Sequence, residues 1–150
     1  MKTMKAFWML LAGIMCAGLV SCTKEEQTWE EWEVRNALTT GTRRIQTVKL
    51  LSGEWVNAFE QGIIWFEMDF SKEDSTFRST KFYYTNGVAD ESTKEVFTAV
   101  DKTNYTINGK VVECTVGGEP YCRIIISELG YMIRCQINFY REYVSYECTF

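Results

Sequence analysis

"GYMIRCQINFYREYVSYECTF", Gly130–Phe150, alternates with a period of two. Ile133, Cys135, Ile137 and Phe139 interleave with Arg134, Gln136 and Asn138. After a break around Arg141-Glu142, Val144, Tyr146 and Cys148 interleave with Ser145 and Glu147. Successive side chains on a strand point to opposite faces, so each run has one apolar face and one wet face. Two such strands joined by a short link form an antiparallel hairpin. With Arg141-Glu142 as a two-residue turn, position 140 faces 143 and Cys135 faces Cys148.

The same punctuation extends upstream to Gly53. Strands are expected at about 54–59, 62–71, 75–85, 94–100, 104–107, 110–116, 120–128 and 131–140, with 143–149 as a ninth. Ile64, Phe66, Met68 and Phe70 alternate with Glu67 and Asp69, and Cys122, Ile124 and Ile126 alternate with Arg123 and Ser127. Ile63, Trp65 and Ile125 fall at the other parity, to be covered by an N-terminal helix or left as an exposed patch. Asn108-Gly109 and Asn86-Gly87 are hairpin turn signals. Pro120 stands at a strand start, where a missing N–H does least harm. No segment between strands is long enough for a crossover helix, so the sheet is antiparallel and mostly up-and-down. So many strands have an edge problem that closure into a barrel removes. The expected fold is therefore all-β, an antiparallel up-and-down meander closing into a barrel, with a short N-terminal helix.

That helix is expected at about 29–37, where Thr28-Trp29-Glu30-Glu31 fits a capping box. Trp29 and Trp32 share one side of it, to dock on the domain or to serve a partner site. A second short helix is expected over Arg43 to Leu51, ending at Ser52-Gly53.

The N-terminus carries Lys2 and Lys5 and then an apolar run from Ala6 to Val20. That is the build of a secretory signal peptide, too short for a spanning helix of roughly 20 apolar residues. Leu19-Val20-Ser21-Cys22 resembles the lipobox of bacterial lipoproteins. The resemblance implies lipidation (palmitate-type acylation) of Cys22 and cleavage just before it. Cys16 is preceded by Met15, too large for the peptidase pocket. Residues 1–21 are then a lipoprotein signal peptide, 22–44 a tether with the short helix, and 45–150 the β-domain. Loss of two lysines with the leader takes the net charge from −4 to −6. An acidic chain without a basic cluster speaks against nucleic acid and against binding anionic lipid by charge. The membrane is reached through acyl chains on Cys22. Thr23-Lys24-Glu25-Glu26 resembles the surface-export signal of Bacteroidota lipoproteins, which implies an outer-membrane protein on the cell surface. The other reading is a solvated tether at the periplasmic face.

"LLSGEWVNAF" carries Gly53-Glu54-Trp55, which is similar to the G-x-W signature on the first strand of lipocalins. The helix before it and the meander after it, with "YTINGKVV" and the closing hairpin, resemble the small lipocalin-like domains of Bacteroidota lipoproteins. The resemblance implies a barrel whose Trp55 lies across the closed end beneath an arginine, for which Arg141 is the nearest candidate. It implies binding of a small apolar or amphipathic ligand, with Trp55, Phe66, Phe82 and Tyr84 lining the interior. A barrel filled by its own side chains, acting as a surface protein-interaction or inhibitor-like module, is the alternative.

Of the six cysteines, Cys114, Cys122, Cys135 and Cys148 remain for the exported domain, which faces a disulfide-permissive compartment. With Gly117-Gly118-Glu119 as the loop, 116 faces 120 and Cys114 faces Cys122. Opposed positions have Cβ atoms roughly 4.5–5.5 Å apart, close to what a bridge needs. The expected pairs are 114–122 and 135–148; the alternative is four reduced core thiols. Histidine is absent, which removes Ser-His-Asp and Cys-His systems, His-based zinc and the usual near-neutral base. No C-x-x-C pair and no phosphate-cradling loop occurs. Glu67 and Asp69, which could otherwise pair for glycosidase work, sit at water-facing positions. The expectation is a non-enzyme with no cofactor and no metal. Asp74-Ser75-Thr76 resembles the Asp-Ser/Thr-X O-glycosylation site of exported Bacteroidota proteins, with Ser75 as acceptor; an Asx-type turn is the alternative.

Overall fold

The computed structural model describes residues 29–150. The leader, Cys22, the Thr23–Glu26 cluster and Thr28 lie outside the described residues. The elements in chain order are α1 (Glu31–Thr39), β1 (Arg43–Arg44), β2 (Thr47–Lys49), β3 (Trp55–Asn57), β4 (Ile64–Phe70), β5 (Phe77–Thr85), β6 (Val88–Ala89), β7 (Glu95–Phe97), β8 (Thr103–Asn108), β9 (Val111–Val116), β10 (Glu119–Glu128), β11 (Arg134–Phe139) and β12 (Val144–Thr149). Two short 3₁₀ turns, Glu91–Thr93 and Ala99–Asp101, flank β7.

All strand pairs are antiparallel and fall into two sheets. One has the order β1-β4-β5-β6, with β7 also on β5; the other has the order β3-β2-β12-β11-β10-β9-β8. β8 to β12 form the expected meander. The second helix expected over 43–51 is absent; β1 and β2 stand there instead. The edges of both sheets recruit this backbone: Ile45 N donates to Phe66 O at 2.9 Å, and the next residue, Gln46, donates to Thr149 O at 2.8 Å. The chain thus changes sheets between consecutive residues, and tertiary pairing overrides a weak local preference.

The sheets also meet at their far edges. Thr103 Oγ1 accepts from Phe77 N at 3.1 Å and donates to Phe77 O at 2.6 Å. Tyr105 N donates to Ser75 O at 2.9 Å. A threonine side chain stands here where a ladder needs backbone, so no continuous ladder forms. The single closed barrel expected from the sequence is not formed among the described residues.

Turn chemistry sets the registers. Asn86 (φ 54°) and Gly87 (φ 76°) are both left-handed between Thr85 and Val88, as a type I′ hairpin requires. Gly117 (φ 60°) and Gly118 (φ 81°) do the same between Val116 and Glu119. The expected three-residue loop is therefore one residue too long. A bulge between Pro120 and Cys122 absorbs the difference, and Cys114 still faces Cys122. The Asn108-Gly109 signal acts one position later: Asn108 pairs with Val111, leaving Gly109-Lys110 as the turn.

α1 covers one end of the two sheets, burying Val34 and Leu38. It begins two residues later than expected, with Glu30 N donating to Glu33 Oε2 at 2.8 Å. Trp29 packs partly buried on the core, whereas Trp32 is 63% exposed. At the other end of the helix Arg43 Nε donates to Ala37 O at 2.8 Å, satisfying a carbonyl that the helix leaves open.

Candidate functional site

The space between the sheets is the first place to seek a ligand. β5 sends Phe77, Ser79 and Lys81 inward. Phe66 of β4 meets Phe139 edge-on with centroids 4.9 Å apart, and Tyr121 stacks near Phe77 at 6.1 Å and meets Phe97 at 5.2 Å. Aromatic pairs at these spacings add to the gain from burial. Lys81 is 0% exposed. Its Nζ lies 2.6 Å from Glu142 Oε1 and 3.0 Å from Glu95 Oε1. The ammonium also sits 4.4 Å from the Phe139 centroid and 5.3 Å from that of Tyr121. A buried charge costs heavily unless paired; here two carboxylates and the rings of Phe139, Tyr121 and Tyr83 surround it. Burial also pushes the Tyr121 and Tyr83 hydroxyls well above the ordinary tyrosine range, with Cys122 adding at Tyr121 and Glu142 at Tyr83. Phe66, Phe77, Lys81, Tyr121 and Phe139 are all buried between the sheets, and the Ser79 Oγ and Tyr121 hydroxyl are buried beside them without a hydrogen-bond partner.

Of the four residues expected to line it, only Phe66 is in the core. Phe82 and Tyr84 lie at the opposite parity of β5. There Phe82 stacks parallel on Trp65 (5.8 Å, 2°) and touches Tyr84 at 5.7 Å. Phe59 meets Trp65 at 5.7 Å, and the Arg44 guanidinium rests 4.6 Å from the Trp65 ring and 4.8 Å from the Phe59 ring. Trp65 is therefore packed among Phe82, Phe59 and Arg44. Trp55 is half-buried on β3, and its arginine is Arg134 at 5.1 Å. Arg141, the candidate named from the sequence, instead lies over Phe97 at 5.4 Å and near Glu95 at 3.4 Å.

The four cysteines are opposed as expected, Cys114 to Cys122 and Cys135 to Cys148. The bridges are not formed: all four are buried free thiols, with Cys135 and Cys148 sulfurs 3.7 Å apart. Burial and contact with Cys114 push the Cys122 thiol up; contact with Cys148 and burial do the same to Cys135. Ser75 is left-handed (φ 58°), and its hydroxyl accepts from Arg35 at 3.1 Å. Asp74 Oδ1 accepts from Thr76 N at 3.1 Å and Thr76 Oγ1 at 2.7 Å, the Asx-type turn that the sequence offered as one alternative. No group of three or more His, Cys, Asp or Glu side chains among the described residues is placed to hold a metal ion.

The openings lie outside the core. A cleft of about 620 Å³ runs between the end of α1, β1 and the loop after β10, with Arg43, Arg44, Gln46, Tyr131 and Met132 in its walls. A second, of about 410 Å³, lies between Phe70, Phe77 and Val100, and a third, of about 100 Å³, beside Phe97. None of the three is lined by Trp55, Phe66, Phe82 or Tyr84. The sequence did not single out the first cleft, because its walls come from three distant segments. The doublet Arg43-Arg44 in an acidic chain was the one available signal. No family model, no curated protein and no solved structure matches the chain.

Proposed function

We propose that the chain is an exported lipoprotein that binds a partner through its outer surface and holds no ligand inside. In this reading Cys22 carries the lipid that anchors it to the outer membrane, and the domain is displayed at the cell surface. The domain is a lipocalin-like variant whose interior has been filled. Support for that descent is the Gly53-Glu54-Trp55 lead-in, an arginine over the Trp55 ring, and two antiparallel sheets that meet at both edges. The function is binding, not catalysis.

The observation that carries the reading is the occupied interior. Phe66, Tyr121, Phe139 and Lys81 are each no more than 1% exposed, where a lipocalin-type site needs an apolar cavity of about 300–1,000 Å³. The test is titration with a neutral apolar fluorophore, N-phenyl-1-naphthylamine. The expected result is no saturable binding to the wild-type chain. Stoichiometric binding that Phe66→Trp abolishes would place a ligand between the sheets and overturn the reading.

A further inference from the structure

Arginine usage divides the surface. Arg35, Arg123, Arg134 and Arg141 each pair with a glutamate. Arg43 and Arg44, like Arg78, make no ion pair among the described residues, although Glu67 is the cross-strand neighbour of Arg44, and no carboxylate lines the 620 Å³ cleft that Arg43 and Arg44 share. Arg43 is held by Ala37 O, and burial alone pushes its guanidinium below the ordinary arginine range. The Arg44 guanidinium sits against the Phe59 and Trp65 rings, and its Nε is buried without a hydrogen-bond partner. Two half-buried cations outside any ion pair are less favourable than paired ones, and here they occur in a chain of net charge −4. Across the cleft stand Met132 and Tyr131, which is 99% exposed, with the Phe150 ring at the base.

We infer that this cleft binds an anionic amphiphile, its carboxylate or phosphate head on Arg43 and Arg44 and its apolar body against Met132, Tyr131 and Phe150. A guanidinium offers a fork of N–H donors matched to carboxylate and phosphate oxygens, and Gln46 adds an amide. The volume lies within the usual range for small-molecule sites, about 300–1,000 Å³. The inference rests on the outer-surface reading. Its test is independent of the interior, because a neutral apolar fluorophore lacks the charge that this cleft selects. A free long-chain acid and a lipid headgroup offer the same chemistry.

Trp65 is the built-in reporter, since Arg44 lies on its ring. The mature chain carrying Cys22→Ser, which has no acyl group of its own to compete, is titrated with decyl phosphate below its micelle concentration, with calorimetry as a second readout. Saturable one-to-one binding is expected, weakened about tenfold or more by Arg44→Gln and by added salt. Met132→Glu, remote from Trp65, places a carboxylate on the opposite wall and is expected to weaken binding by a similar factor. Neutral decyl maltoside and inorganic phosphate are expected to bind far more weakly. Additional binding to phosphatidylglycerol vesicles supports a headgroup as the natural source, and binding of the monomer alone supports a free organic acid. No saturation up to about 1 mM, equal binding of the maltoside, or indifference to both substitutions overturns the inference.

Discussion

Lys81 Nζ lies 2.6 Å from Glu142 Oε1, joining the middle of β5 to the turn between β11 and β12 across the two sheets. The lysine is fully buried while Glu142 is 31% exposed, so the two ends of the pair respond differently to change. Removing the carboxylate leaves a buried ammonium with only Glu95. Removing the ammonium leaves Glu142, which is partly exposed, and Glu95, which keeps Arg141 as partner. Glu142→Gln is expected to destabilise by about 1–3 kcal/mol, below the roughly 3–5 kcal/mol of a fully buried pair. Lys81→Met is expected to cost less, because the methionine fills the space among Phe139, Tyr121 and Tyr83. Urea midpoints of the two variants check the order; a larger loss for Lys81→Met would contradict it.

The tyrosines make the fold sensitive to base. Burial, then Glu142 and Cys148, pushes Tyr146 up to about 12, and Tyr83 and Tyr121 are raised further. Unfolded tyrosine ionises near about 10. A group whose folded pKa is raised contributes stability below the unfolded value and loses it as pH rises through the folded one. Stability is therefore expected to fall from about pH 10 towards pH 12. Absorbance at the tyrosinate band should show a late class of tyrosines ionising together with loss of near-ultraviolet circular dichroism. Full titration near pH 10 with the fold intact is the opposing result.

The cysteines should be silent until the domain opens. Cys122 and Cys135 are buried, and their thiols are raised, while the thiolate is the reactive species. An aromatic disulfide reagent is expected to leave the native domain unmodified and to count the four thiols in unreduced denaturant. Finding none there would mean that the opposed pairs close during export.

The anchor has its own check. Metabolic labelling with an alkyne fatty acid is expected to tag the chain, and Cys22→Ser is expected to abolish the tag and release the protein from membranes. Cys16→Ser should change neither. Labelling that survives Cys22→Ser would reject the lipobox reading.

How much of this was legible in the sequence depended on whether a signal was local. The register of β11 with β12 followed from the alternation together with a turn centred on Arg141-Glu142, and Cys135 opposite Cys148 came with it. Cys114 opposite Cys122 also emerged, although the turn is shorter than expected, because a bulge compensates. "FRSTKFYYT" shows why the interior could not be read. Its inward positions are Phe77, Ser79 and Lys81, so the polar-looking parity faces the core and the aromatic parity faces out. What makes Lys81 acceptable there, Glu95 and Glu142, arrives from distant turns. Residues 43–49 were equally opaque, since each sheet claims only two or three of them. The cleft depends on that crossing and had no local signature beyond the arginine doublet.

The central claim is that the space between the sheets is occupied by the protein's own side chains. Native mass spectrometry of the chain purified from membranes of its own host, released in a mild detergent, tests it most directly. The expected spectrum shows the lipidated chain with no retained neutral apolar molecule, and an anionic adduct, where present, is lost on Arg44→Gln. A neutral apolar molecule bound one-to-one and retained by Arg44→Gln would contradict the filled interior.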